Sequence, residues 1–277
     1  MKTISIYLLL LIYCSALNAQ KTINFDGQLS GIANISPKSQ SWGLLNARYI
    51  PELNYSLKLD TTHSLYFETS ANIWSSVYFH ENDSVSSSSD TKAYRVYSRF
   101  SGNNYEIRIG LQKIDFGSAS ILRPLQWFNE IDPRDPLAIT EGVNSILGRY
   151  YFKNNANLWL WGLIANEDPR GYDFVGSNAS KPEIGGRFQH PIPKGEVALS
   201  YNHRSADGTQ LIDSSYFEDI GENRYGIDGK WDLGVGLWVE GSYIKKNKDL
   251  GRSREVCTSK GGIILEKRST IETNNFE

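Results

Sequence analysis

The stretch YEIRIGLQKI, residues 105–114, decides the fold class. Tyr105, Ile107, Ile109 and Leu111 take every second position, with Glu106, Arg108 and Gln112 between them. Side chains of an extended chain alternate between two faces, so this segment reads as a β-strand with one apolar and one ionised face. The same period recurs over 23–34, where Ile23, Phe25, Leu29 and Ala33 alternate with Asn24, Asp26, Gln28 and Ser30. It recurs again over 42–59, 64–79, 93–101, 143–152, 157–165, 183–190, 195–203, 223–231 and 233–244, giving eleven expected strands. A composition of 24 Gly, 16 Tyr, 11 Phe and 7 Trp against one Met suits sheet and disfavours a helical protein.

Connection lengths point to an up-and-down order. Short breaks at 60–63, 102–104, 154–156, 191–194 and around Asp232 alternate with longer ones at 35–41, 80–92, 115–142, 166–182 and 204–222. Greek-key sandwiches mix long and short connections at both ends, whereas outer-membrane barrels keep short turns on the periplasmic side and long loops outside. The polar face carries Arg48, Glu68, Arg95, Arg99, Glu106, Arg108, Arg149, Arg187, Glu196, Arg224, Asp228 and Glu240. Aromatics cluster near strand ends, among them Tyr94, Phe100, Tyr105, Tyr150, Phe152, Tyr201, Tyr225, Trp231 and Tyr243, as interfacial girdles require. The expected fold is therefore all-β, an up-and-down antiparallel transmembrane β-barrel of the outer-membrane type.

Residues 1–19 have the charged, apolar and small-residue order of a secretory signal peptide, with cleavage expected after Ala19. Tyr13 stands where a lipoprotein site needs a small residue, which disfavours acylation of Cys14. With Cys257 the only other cysteine, neither a disulfide framework nor a CxxC site is available. A net charge of −2 gives no basic excess for nucleic acid. Residues 20–248 are assigned to the barrel.

Residues 115–142 form the longest connection and carry the candidate site. Leu122, Leu125, Trp127, Phe128, Ile131 and Leu137 need burial, and Pro124, Pro133 and Pro136 forbid continuous strand, so the loop is expected to fold into the barrel mouth as a constriction. There Glu130, Asp132, Asp135 and Glu141 would meet the inward Arg95, Arg99, Arg108 and Arg149, with Arg123 and Arg134 adding positive charge and Arg187 further along the wall. Two readings stand: charged rings that sort solutes, or salt bridges that pin the loop.

Enzyme chemistry is not expected. His63, His80, His190 and His203 lack metal-ligand spacing, and no GxSxG elbow occurs. The serines of 84–89 lie in an expected external loop, and Gly234 sits inside an alternating strand with no helix behind it, so no phosphate-cradling loop forms there. No cofactor is implied. Trp74, Trp159, Trp161 and Trp238 offer sugar-stacking surfaces, the basis of the alternative reading as a secreted soluble carbohydrate-binding module.

The runs RIGLQKIDFG (108–117), RPLQWF (123–128), IDPRDPL (131–137) and GRYYF (148–152) resemble porin-like outer-membrane proteins of Gram-negative bacteria, similar in style to the alginate-export barrels. The resemblance covers 105–165 and implies an outer-membrane pore without naming a substrate. The expected function is passive diffusion of small hydrophilic solutes, anionic ones included. Expected partners are outer-membrane lipid and the barrel-assembly machinery, with homo-oligomerisation left open.

An even strand number closes single-chain bacterial barrels, so eleven strands leave one owed. The tail 249–277 lacks alternation and ends on Phe276 and Glu277, which reads as an irregular, truncated or frame-shifted segment. An open, curved sheet whose first and last strands do not pair is the expected consequence.

Overall fold

The period-two pattern becomes one sheet. The computed structural model describes residues 21–36, 41–81, 84–119, 122–129, 137, 139–210 and 219–247. The expected signal peptide and the tail 249–277 lie outside them. Eleven strands follow in chain order: β1 (Lys21–Ile35), β2 (Ser41–Lys58), β3 (Ser64–His80), β4 (Val85–Ser101), β5 (Tyr105–Gln112), β6 (Val143–Tyr151), β7 (Asn157–Leu163), β8 (Glu183–Ile192), β9 (Gly195–Ala206), β10 (Ile220–Asp232) and β11 (Gly236–Lys246). Each pairs antiparallel with its sequence neighbours, in the order β1 to β11. Among the described residues there is no α-helix, and the sheet is not closed: β1 pairs only with β2, and β11 only with β10.

The two faces divide as the alternation predicts, and their burial is inverted relative to a water-soluble core. Ile146, Leu160, Ile184, Leu199, Ile227 and Leu237, one on each strand from β6 to β11, are 53–62 % exposed. On the opposite face of β8 to β11, Arg187, Arg204, Glu222, Arg224, Asp228 and Glu240 are all at most 4 % exposed. That inner face also holds the apolar core, formed by Val143 and Leu147 of β6, Trp161 and Leu163 of β7, and Ile114, Phe116, Leu125, Trp127 and Phe128 of the β5–β6 connection.

Three details depart from the sequence reading. The segment 80–92 is not a long loop. β4 begins at Val85 and pairs with β3 through Ser75↔Ser89 and Ser76↔Ser88, so the serine run is strand. Positions 85–93 are exposed throughout, and a ladder that buries neither face needs no alternation to form. The long-and-short alternation of connections consequently holds only from β4 to β11, where 113–142, 164–182 and 207–219 face the short 102–104, 152–156, 193–194 and 233–235. Thirdly, a bulge shifts the β3–β4 register between Ser70 and Ala71. Tyr94 is the extra residue, set beside Arg95, whose guanidinium lies 4.0 Å from the Tyr94 ring centroid.

At the short-turn end, Asp60 closes the β2–β3 turn. It accepts from the Thr62 hydroxyl and the backbone N–H of Thr62 (both 2.7 Å) and from the backbone N–H of His63 (2.8 Å). These donors, the Thr62 hydroxyl foremost, hold its carboxyl well below the usual carboxylate range.

Candidate functional site

The chain leaving β5 cannot continue as strand through Gly117 and Pro124, and its apolar residues have no solvent-compatible place. It folds back across the inner face of β6–β11. Leu125, Trp127 and Phe128 become at most 3 % exposed. Phe116 stacks on Trp161 with ring centroids 5.5 Å apart, and Phe128 meets the same indole edge-on at 5.5 Å. Gly226 of β10 permits the close approach: a Cβ there would stand 2.4 Å from Leu125 Cδ2.

One wall carboxylate fastens this loop. Glu240 of β11 accepts from the backbone N–H groups of Ser118 and Ala119, both at 2.8 Å, and of Leu125 at 3.0 Å. Charge-assisted bonds of this kind are among the stronger ones in proteins. Gly117 makes the turn into the clasp with φ +103°, and an added Cβ would lie 2.7 Å from Glu240 Oε2. Trp127 Nε1 donates to Ser242 Oγ (3.3 Å), and Asp115 is held between Arg123 and Lys113, the latter at 2.9 Å. Burial pushes the Asp115 carboxyl up, but the Lys113 hydrogen bond and the Arg123 charge outweigh it, leaving Asp115 below its usual range.

The connection 164–182 is fastened by ion pairs. Asp173 meets Arg204 (2.9 Å) and Arg224 (2.5 Å), and Glu222 meets Arg204 (2.6 Å) and Arg224 (3.3 Å), closing a four-membered ring with every side chain at most 7 % exposed. Arg170 pairs with Glu183, and its second contact is Ser177 Oγ at 2.9 Å. Alongside, Arg187 forks onto Asp228, with its Nη2 at 2.8 Å from Oδ2, and lies 5.1 Å from the Phe116 ring centroid.

The expected site residues separate into groups. Arg108 and Arg149 converge on Glu106 Oε1, each at 3.0 Å, and Arg149 lies 3.7 Å from the Trp159 ring centroid. Arg99 stands directly opposite Arg108 in the β4–β5 ladder and rests on Tyr66, 4.5 Å from the ring centroid. Arg95 is buried and donates to Thr140 O at 2.7 Å. Arg187 is paired within the wall, and Arg123 within the loop. Glu130, Asp132, Arg134 and Asp135 lie outside the described residues. Glu141 does not meet the inward arginines; it faces Lys92, 3.4 Å away at an exposed position. Of the four tryptophans considered for sugar stacking, Trp161 is 3 % exposed and donates to Asn202 Oδ1 at 2.8 Å, so its faces are occupied by the loop.

Sequence reasoning placed Asp228 and Glu240 on the polar face without assigning partners, and it missed Asp173 and Arg170 altogether. The usable signal for Glu240 was an acid inside a strand whose inner neighbours, Trp238 and Ser242, carry no charge. No family model matches the chain, and no curated protein matches it.

Proposed function

We propose that the chain forms the wall of an outer-membrane β-barrel and acts as a porin-like channel, passing small hydrophilic solutes by diffusion with the 113–142 connection as its constriction. One observation carries the reading: from β6 to β11 the aliphatic face is exposed, and on β8 to β11 the opposite, buried face is ionised. That arrangement is costly in water and suited to lipid outside and a polar interior. Aromatics support it, since on the outer face of β10 Tyr225 and Trp231 flank Ile227 at a separation of ~20 Å along the strand. Tyr225 continues sideways into Tyr201 and Tyr243 at 5.3 and 6.1 Å, a band of the kind that sits at a membrane interface.

In lipid the outer edges of β1 and β11 need hydrogen-bond partners. With consecutive antiparallel strands, β1 and β11 run in the same direction, so a strand antiparallel to both satisfies the two edges at once. The similarity in style to porin-like proteins of Gram-negative bacteria belongs to this same reading, with lipid and the assembly machinery as partners.

The test is to refold the full-length chain in detergent and insert it into planar bilayers. Heat-modifiable gel mobility and discrete conductance steps are expected. Release of the native protein from cells by plain buffer, or bilayers that stay silent after insertion, refutes the channel.

A further inference from the structure

The inner wall does not treat its arginines alike. Arg187, Arg204 and Arg224 have carboxylates of their own, and Arg123 shares Asp115 with Lys113. On β4–β6 the supply of carboxylate runs short: Arg108 and Arg149 share a single oxygen of Glu106. Among the described residues Arg99 has no carboxylate within salt-bridge distance, and Arg108 is its direct cross-strand neighbour. Like charges placed directly opposite one another destabilise a ladder, so this pair is held at a cost. Glu68, the next inward acid, accepts from Tyr97 Oη (2.7 Å) and Tyr66 Oη (3.2 Å) instead of pairing with either arginine. Each of the three guanidiniums lies near an aromatic ring: Arg99 by Tyr66, Arg108 by Tyr97, Arg149 by Trp159. The rings fix the forks in position without neutralising them.

We infer that Arg99, Arg108 and Arg149 form a binding station for a small oxyanion, a carboxylate or a phosphate, at the short-turn end of the inner face. The site rests on the reading of that face as solvent-filled, and it names the solute class which that reading leaves open. Arg99 lies two residues before the end of β4 and Arg149 two before the end of β6, next to the turns 102–104 and 152–156. A guanidinium fork matches the paired oxygens of either anion, and three guanidiniums against the single carboxylate of Glu106 leave a surplus of positive charge for an anion to meet.

The test measures binding separately from conduction. Inorganic phosphate and acetate are titrated against the full-length chain refolded in detergent, with line broadening of the phosphorus and labelled carboxyl resonances as the readout. The parent protein is expected to bind at least one of them, and preference for phosphate or acetate identifies the source. Arg99→Gln strands no acid and is expected to weaken binding at least about tenfold; Arg99→Lys, which keeps the charge but not the fork, is expected to fall between. Lys153→Gln, an exposed charge in the adjacent turn, is expected to bind as the parent does. Should Arg99→Gln fail to refold, the parent and Arg99→Lys still decide. No binding by the parent, parent-like binding by Arg99→Gln or Arg99→Lys, or an equal loss in Lys153→Gln overturns the station. Binding retained in a protein that never conducts supports the station and counts against the channel alone.

Discussion

Glu240→Ala tests whether one carboxylate fastens the constriction. The substitution removes the acceptor of three backbone N–H groups, those of Ser118, Ala119 and Leu125, at 2.8–3.0 Å. Glu240 is 1 % exposed, so solvent screening does not discount these bonds. Hydrogen bonds to a charged group are worth roughly 1.5–3 kcal/mol each, and water entering the vacated space restores part of that, leaving a net loss on the order of 3–6 kcal/mol. The apolar anchors Phe116, Leu125, Trp127 and Phe128 remain, at roughly 1.5–3 kcal/mol each. The loop therefore stays docked most of the time while its open population rises by about two to four orders of magnitude, at 1.4 kcal/mol per tenfold. Hydrogen exchange read at the amides of Ser118, Ala119 and Leu125 measures that population directly. Glu240→Gln should give a smaller rise, because the amide keeps one acceptor and turns an NH2 toward a donor. Exchange at these three amides accelerating less than about tenfold in Glu240→Ala would refute the clasp.

Further outcomes follow from the same geometry. Gly117→Ala is expected to cost roughly 1–3 kcal/mol from its positive φ alone, and to reproduce the exchange pattern of Glu240→Gln because the new Cβ occupies the carboxylate's place. Since the Asp115 carboxyl is depressed on folding, its contribution is fully present above its unfolded value of about 3.9 and is lost as pH falls through the lower folded value; loop protection factors should stay level from pH 7 to about 4, then fall, and Asp115→Asn should abolish that acid step. Asp173→Asn leaves Arg204 and Arg224 with Glu222 alone and is expected to cost roughly 3–5 kcal/mol, read as a lower melting temperature in detergent. Replacing Asp173, Arg204, Glu222 and Arg224 together by apolar residues of similar volume should cost far less, since no unpaired charge remains.

Where a strand alternates apolar and polar residues the sequence shows it, the exposed β1 included, and where it does not alternate the strand is missed. β5 and β8–β11 are legible from alternation because a slip by one residue would exchange charged and apolar faces. The start of β4 is illegible for the converse reason: Val85–Ala93 lies exposed at the edge of the β1–β4 ladder, beyond the reach of β5, and needs only backbone pairing. Burial of Leu125, Trp127 and Phe128 could be read from their composition, since a solvated loop has no use for them. Their partners could not. Glu240 lies 115 residues from Leu125, and Arg187 lies 41 from Asp228, so each contact depends on how far the sheet curls, which no local pattern encodes. The β3–β4 register past Ser70 could not be read either, because the bulge adds one residue without any marker such as glycine at that position.

β7 shows how the loop and the wall specify each other. Its sequence NLWLWGL has apolar residues on both faces, unlike the alternating strands on either side of the molecule. Leu160 points outward at 58 % exposure, while Trp161 and Leu163 point inward and are buried. Inward apolar residues would be out of place against solvent; they are accounted for by Phe116 and Phe128, which cover Trp161. β6 repeats the arrangement, with Val143 and Leu147 inward and Ile146 outward. The inner face thus changes character along the sheet: apolar on β6–β7 where the loop lies, charge-paired on β8–β11 where both loops are fastened, and short of carboxylate on β4–β6 near the short turns. Of these three surfaces the last is neither apolar nor fully charge-paired, so under the channel reading it is the one that offers a solute arginines short of carboxylate. A variant that opens the loop more often, such as Glu240→Ala, should therefore add brief larger openings that pass anions and cations alike, while Arg99→Gln should alter their ratio with the loop still docked. Equal effects of the two variants on that ratio would mean that constriction and selectivity are one element.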